Sequence, residues 1–185
     1  MSGQPVVHAL VADAGMDDPA ERLAALFDTH QDRLYRLARR LVPSADDAHD
    51  LVQETFLRAT RFPRSVPVGL AKEEAWLVRV LINIRRDQWR KTAVRNRANA
   101  SLHTDRATHD SNQESALIAR RTVWQALDVL QPRRRAVIVM HELDGMAIPA
   151  IAALLGISAI TVRWHLSMGR RDLTRVLKPH MGDTA

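Results

Sequence analysis

The sequence predicts an all-α protein built from two small helical domains that a flexible linker joins. Apolar residues recur at steps of three and four along most of the chain, and no segment has the pattern and length of a strand. Between Asn99 and Gln113 the chain turns polar, and Leu102 is the only large apolar residue there. We therefore expect a tail over 1–17, a domain over 18–97, the linker over 98–113, a second domain over 114–178 and a tail over 179–185.

The first predicted helix begins at Asp18, which has the character of an N-cap, and Pro19 occupies its first turn. Pro43 ends it. Six residues at alternating steps of four and three form its apolar stripe: Leu23, Phe27, His30, Leu34, Leu37 and Leu41.

A second helix follows from its cap, Ser44, to about Thr60, and Asp46 and Asp47 favour the positive end of its dipole. The next segment, 61–72, contains two prolines and a glycine, so we expect a loop.

The third predicted helix, from about Glu73 to Arg95, combines an apolar face with a basic seam. The apolar face consists of Leu77, Val80, Leu81 and Ile84, and the seam consists of Arg79, Asn83, Arg86 and Arg90. Like charges this close repel one another unless an anion binds them. Trp76 and Trp89 flank the seam. We expect Trp76 to pack in the core, whereas Trp89 could equally pack or stack on an unpaired base.

The second half begins with a capping box, Ser111 and Glu114, ahead of a helix, and Pro132 begins another helix that runs on through Leu143. A helix-turn-helix pattern comes next. The short apolar helix from Ile148 to Leu155 precedes Gly156, and Ser158 caps a longer helix. At about 100° per residue, the residues of that helix opposite buried Val162 are Ile160, Arg163, Trp164, Ser167 and Arg171. Such a face either reads base edges or is simply solvated, and we favour the first.

The composition favours a polyanionic partner. Lysine and arginine number 27 against 21 acids, which gives a net charge of +6, and the pI is about 10.8. Cysteine is absent, which excludes disulfides, thiol nucleophiles and thiolate metal sites and favours the cytoplasm. The longest apolar run, Met146 to Ile157, is too short for a membrane span, and Met1 to Met16 lacks the pattern of an export signal. The histidines lack metal-ligand spacing, and no phosphate-binding loop is present, so we expect no catalytic site, metal or cofactor.

The acids of the second helix allow three interpretations. Asp46, Asp47 and Asp50 resemble the aspartates with which isoprenoid synthases hold magnesium, but the chain offers no second aspartate-rich helix. The plainer interpretation is that these acids stabilise the start of the helix. In the third, Asp50, Gln53 and Glu54 form an acidic docking edge for a basic partner.

Taken together, these motifs resemble the sigma factors of bacterial RNA polymerase, in their extracytoplasmic-function (ECF) group. The resemblance to sigma region 2 rests on Leu34–Leu41, Asp46–Ala59 and Ala75–Leu77 with Asn83. The resemblance to region 4 rests on Leu130–Val137, Ile151-Ala152, Leu155–Ser158 and Thr161–Arg163. It covers roughly 23–95 and 115–177, in the family's order.

The resemblance implies a role for each surface. Asp50, Gln53 and Glu54 would dock on the clamp helices of core polymerase. The 61–72 loop and the seam would engage the melted minus-ten promoter element, as would Trp89. The contacts expected with the minus-thirty-five element are Ser158, Thr161, Arg163, Trp164, Ser167 and Arg171.

The resemblance implies three partners: core polymerase, promoter DNA and an anti-sigma factor.

The chain departs from the family pattern at Ala147, where a serine or threonine cap is common, and at Trp164, where a small residue is common. The alternative is a LuxR-type transcriptional regulator, whose recognition segment is similar to Thr161–Leu166. A regulator would need a ligand-binding or receiver domain in its N-terminal half.

Overall fold

The computed structural model describes residues 18–98 and 122–181, and all regular elements in these two segments are helical. The N-terminal half contains α1 (Pro19–Leu41), α2 (Ala45–Arg61), a short 3-10 turn (Pro63–Ser65) and α3 (Leu70–Ala98). The C-terminal half contains α4 (122–128), α5 (Pro132–Ile138), a π-helical turn (Val139–Leu143), α6 (Ile148–Leu155) and α7 (Ala159–Met181). The all-helical prediction is confirmed over the described segments. The predicted capping box at 111–114, most of the linker and the 1–17 tail lie outside them.

Local chemistry starts α1 and α2 where the sequence predicts. The Asp18 carboxylate accepts a hydrogen bond from the Ala20 amide at 2.9 Å, and the Ser44 hydroxyl accepts one from the Asp47 amide at 2.9 Å. The expected stripe of α1 is buried from His30 to Leu41, but Phe27 is 40% exposed. Phe56 packs on its ring at a centroid distance of 4.8 Å, and the ring also borders an open groove between α1 and α2.

Helix α3 begins at Leu70, three residues before the predicted start. Gly69 has a φ of 107°, a conformation that reverses the chain without the strain a side chain would add. The Glu73 carboxylate then accepts a hydrogen bond from the Gly69 amide at 3.2 Å, so Glu73 lies in the first turn rather than at the helix start. The loop between α2 and α3 is correspondingly shorter than 61–72.

Two faces of α3 are buried, not one. On the predicted face Leu77, Leu81 and Ile84 are buried and Val80 is half-buried, but Val78 and Ile82, outside that face, are each only 2% exposed. Val78 borders a cavity that Met140 and Leu154 of the second half also line. Because α1 and α2 pack on α3 from one side and α5 and α6 pack on it from the other, the buried side chains of both halves form one continuous apolar cluster.

In the second half, the chain departs from the predicted α-helix that runs from Pro132 through Leu143. After Ile138 the helix widens into a π turn, in which the Asp144 amide donates to the Val139 carbonyl at 3.1 Å. Next, α6 begins after Ala147, which offers no side-chain cap, as expected from its residue type. Gly156 then ends α6 in the left-handed conformation, with φ 65°.

Helices α5 and α7 approach closely at Gly169. A Cβ at this position would lie 2.6 Å from Cγ1 of Ile138 and 3.3 Å from Cγ of Arg134. The absence of a side chain therefore sets the distance between the two helices.

In the described segments, no single helix has the length and hydropathy of a membrane span, although α6 and α7, bent by 106°, meet those criteria as a pair.

Candidate polymerase and promoter surfaces

The predicted docking edge lies on the outer side of α2. Asp50 and Gln53 are exposed, and Glu54 is half-buried beside Arg58, whose Nε lies 3.5 Å from its carboxylate. Because Gln53 and Glu54 lie three and four residues after Asp50 in α2, these three side chains share one surface of the helix.

This edge borders a cleft of about 400 Å³ between α2 and α3. Leu57, which is 48% exposed, contributes an apolar group to the cleft, and Asp87, Gln88 and Lys91 line it from α3. Sequence reasoning did not single out these four residues. Leu57 carried a usable signal, because it lies one turn after Gln53 and outside the buried stripe of α2.

The acids at the start of α2 remain consistent with simple stabilisation of the helix. Asp46, Asp47 and Asp50 are all exposed, and Asp47 bonds to Ser44. Within 18–98 and 122–181, no group of three or more histidine, aspartate or glutamate side chains is placed to hold a metal ion.

The basic seam of α3 differs in exposure along its length. Arg79, Asn83 and Arg86 are half-buried, whereas Arg90 is exposed. A Cβ added at Gly156 would lie 2.9 Å from Nη1 of Arg79, so this end of the seam is against the turn between α6 and α7. The spacing of the seam residues predicts a position opposite a single apolar face and gives no signal for this contact.

The two tryptophans that flank the seam are both half-buried. Trp76 packs against the apolar cluster, as expected.

In the loop between α2 and α3 and at the start of α3, exposed apolar side chains project where an unpaired base could stack or insert. They are Phe62, 57% exposed, Val68, 72% exposed, and Leu70, 67% exposed. Sequence reasoning assigned the loop as a range and did not identify these residues.

The start of α7 is built by Ser158 and Thr161. The Ser158 hydroxyl accepts a hydrogen bond from the Thr161 amide at 3.1 Å and lies 2.8 Å from the Thr161 hydroxyl. Val162 and Leu166 are buried beneath the helix. The face opposite them carries the remaining predicted minus-thirty-five contacts, all exposed: Arg163, Trp164, Ser167 and Arg171.

Trp164 is held from below although it is 52% exposed. The Arg134 guanidinium carbon lies 5.6 Å from the centroid of its ring, and Arg134 is itself ion-paired with Asp172. His165 contacts the ring edge-on at 4.9 Å. Burial lowers the pKa of His165 and the positive charge of Arg134 lowers it further, which favours the neutral imidazole.

Two arginines, Arg85 half-buried and Arg135 buried, satisfy the C-terminal carbonyls of α1. Arg85 of α3 donates to the Leu41 carbonyl at 3.3 Å, and Arg135 of α5 donates to the Arg40 carbonyl at 3.0 Å. Burial lowers the pKa of both guanidiniums, which remain charged near neutral pH, and Asp128 opposes the shift in each. Arg135 therefore binds the second half to the end of a first-half helix. No sequence signal distinguished it from Arg133 and Arg134.

Comparisons with known proteins match both halves. Residues 26–95 match the Sigma-70 region 2 family, and residues 120–173 match Sigma-70 region 4. The chain is 35% identical to the ECF RNA polymerase sigma factor SigE of Mycolicibacterium smegmatis, over 84% of this chain and 62% of that protein. It is 38% identical to the RNA polymerase sigma-E factor of Streptomyces avermitilis, over 73% of each chain. Its fold is similar to that of the sigma factor RpoE of Bartonella quintana, solved in complex with the anti-sigma factor NepR. That match has a TM-score of 0.57 and 24% identity and covers 86% of this chain and 96% of the other.

These matches define a sigma-70 type transcription initiation factor. The chain is also 32% identical to the ECF RNA polymerase sigma factor SigL of Mycobacterium tuberculosis, over 86% of this chain and 90% of that protein. It belongs to the ECF sigma factors of bacterial RNA polymerase. The chain spans less than two thirds of the SigE relative's length. The match of the N-terminal half to a sigma region favours this family over the LuxR-type alternative.

Proposed function

We propose that this chain binds core RNA polymerase, directs it to specific promoters and assists strand separation. The observation that carries the proposal is the outward face of α7, where a capped helix presents Arg163, Trp164, Ser167 and Arg171 to solvent above a buried stripe. A major groove admits a helix presented in this way. Because the chain belongs to the sigma factors, the enzyme that this DNA contact would direct to a promoter is RNA polymerase.

In the proposed mechanism, each surface has one task. The docking edge, Asp50, Gln53 and Glu54, meets basic residues of the polymerase clamp, and Leu57 adds an apolar contact at its border. The exposed apolar groups between α2 and α3, together with the seam and Trp89, capture unstacked bases of the minus-ten element.

Capture of unpaired bases stabilises the open duplex by binding, so it requires no nucleotide hydrolysis by this chain. We propose that the chain is not itself an enzyme and uses no cofactor, and that the polymerase performs the catalysis. We also propose that it acts in the cytoplasm, where the polymerase works, and that an anti-sigma factor regulates it. We also propose that the two domains extend over residues 18–97 and 114–178.

Run-off transcription with purified core polymerase on a randomised promoter library tests the proposal. We expect the chain to confer start sites that share a sequence motif. Transcription without a common motif, or none beyond that of core polymerase alone, would refute the proposed function.

The docking edge is tested by the double variant Gln53→Ala with Glu54→Lys, which should abolish co-purification with core polymerase. The matched control is Asp28→Lys, a charge reversal at an exposed position of α1 that should leave binding intact. Retained binding in the double variant would contradict the docking assignment.

The minus-thirty-five surface is tested by Arg163→Ala. It should cost about 1–3 kcal/mol on the cognate site and relax base selectivity there. Arg175→Ala, also exposed on α7 but twelve residues further along, is the control. Equal losses on cognate and random DNA would identify Arg163 as a phosphate contact instead of a base contact.

A further inference from the structure

The recognition face of α7 carries an apolar patch in addition to its polar residues. Ile160 is 76% exposed and Trp164 is 52% exposed, and the two lie four residues apart, one turn along the same face. Residue spacing places Ile160 on this face, but Ile160 is not among the contacts expected with the minus-thirty-five element. A pair of large apolar side chains in water near the start of a helix favours a partner that covers them.

The patch is flanked by groups that suit DNA. Arg163, Ser167 and Arg171 are exposed on the same side of α7. This arrangement of apolar centre and basic surroundings complements the major groove, where phosphates border the base edges. Trp164 also belongs to the proposed minus-thirty-five surface, so the patch is continuous with that surface, and we take duplex DNA as its occupant on this ground.

The position of the Trp164 ring is set before any partner binds. Gly169 lets α5 approach α7, with Cγ of Arg134 only 3.3 Å from where a Cβ of residue 169 would be. Arg134 is then ion-paired with Asp172 and lies below the Trp164 ring, with its side chain only 12% exposed. An aromatic ring supported in this way loses little side-chain entropy when its outer face is covered.

One base-edge group in the major groove is apolar: the 5-methyl group of thymine. Cytosine carries only a C5–H group at the corresponding position, and the nitrogen and oxygen atoms of the base edges are hydrogen-bond donors and acceptors, which neither an isoleucine nor the carbon face of an indole can satisfy. We propose that Ile160 and Trp164 read thymine methyl groups, so that the minus-thirty-five element of this factor contains at least one thymine at the positions they cover. This inference rests on the proposed function, because it concerns the base preference of the same helix.

Methyl deletion in the DNA tests the inference with the complete chain bound to core polymerase. The probe is a duplex carrying a promoter from the library selection, in which each thymine of the minus-thirty-five element is replaced in turn by deoxyuridine. Base pairing is unchanged, and one methyl group is removed. We expect about fourfold weaker holoenzyme binding at one or two positions, the factor for one methyl group left uncovered.

Two variants assign the effect to the patch. In Trp164→Ala or Ile160→Ala, the deoxyuridine penalty at the corresponding position should disappear, because the methyl group has lost its contact. Arg175→Ala should retain the full penalty, and circular dichroism melting verifies that the variants are folded.

Several results would overturn the inference: no deoxyuridine position weakens binding, the penalty persists in both variants, or the selected element has no thymine. If Trp164→Ala instead impairs core polymerase binding and leaves the deoxyuridine penalty intact, the patch contacts protein and the inference is also wrong. Failure of the proposed function is a separate outcome, since in that case the library selection yields no promoter motif at all.

Discussion

Replacing Arg135 tests how the two halves of the chain are held together. Its side chain is 3% exposed, donates to the Arg40 carbonyl at the end of α1, and lies over the Trp124 ring with the guanidinium carbon 5.2 Å from the centroid. It is also ion-paired with Asp128. In Arg135→Met, a side chain of similar length fills the space but donates no hydrogen bond.

The expected loss of unfolding free energy follows from these contacts. A hydrogen bond from a charged donor contributes about 1.5–3 kcal/mol, and the contact with the Trp124 ring adds about 0.5–1 kcal/mol. The ion pair contributes little, because the Asp128 side chain is 45% exposed. Methionine recovers part of the loss, since no charge has to be desolvated when it is buried. We therefore expect Arg135→Met to cost about 2 kcal/mol, the balance of these contributions.

Urea unfolding followed by tryptophan fluorescence and circular dichroism measures this difference. Arg135→Lys retains the charge without the planar fork, so it should lose about half as much. The matched control is Arg133→Met, which removes a half-buried arginine from the same helix and should cost less than about 0.5 kcal/mol. A loss in Arg135→Met no larger than that of the control would refute the argument that Arg135 joins α5 to α1.

Three further predictions concern packing, pH and DNA. Gly169→Ala should destabilise the chain by about 1–2 kcal/mol, because overpacking against Ile138 exceeds the gain in helix propensity; a higher melting temperature would contradict this. Burial lowers the pKa of His165 in the folded chain. As the pH falls through about 6.5, the unfolded chain therefore binds a proton at this imidazole before the folded chain does. Melting temperature should therefore drop between pH 7.5 and 5.5 by less in His165→Gln than in the natural chain, and an equal drop would contradict the assignment. On fluorescent single-stranded DNA, Arg90→Ala should weaken binding by the free chain and reduce its salt slope by about 0.7. Arg79→Ala should do less, because Arg79 is half-buried; equal losses would argue against the observed packing.

Helix starts and ends could be predicted because they depend on neighbouring residues. Asp18, Ser44 and Ser158 each accept a hydrogen bond from an amide within three residues, and Gly156 adopts the left-handed conformation. Such features follow from short-range chemistry alone. The π turn at Val139–Leu143 could not be predicted in this way, because nothing in its residue types distinguishes it from an α-helical continuation.

The candidate surfaces were predictable to the extent that a single helix carries them. The outward face of α7 follows from counting residues around a helix, and the structure exposes Arg163, Trp164, Ser167 and Arg171 accordingly. The docking edge on α2 was placed by the same argument. Its neighbours on α3 were missed, because a cleft between two helices depends on how they pack, which a periodicity within one helix does not specify.

The seam on α3 illustrates how far such periodicity can mislead. A stripe of Leu77, Leu81 and Ile84 predicts one buried face, yet Val78 and Ile82 form a second one, about 100° around the helix from the first. The seam begins at the border of this second face, so the half that covers Val78 also reaches Arg79. Arg90, eleven residues later and about 16 Å along the helix axis, is exposed. The Arg79 end of the seam lies against the turn at Gly156, so a ligand that contacts the whole seam must bind beside this turn. The packing of the second half therefore determines how much of the seam is accessible to a ligand.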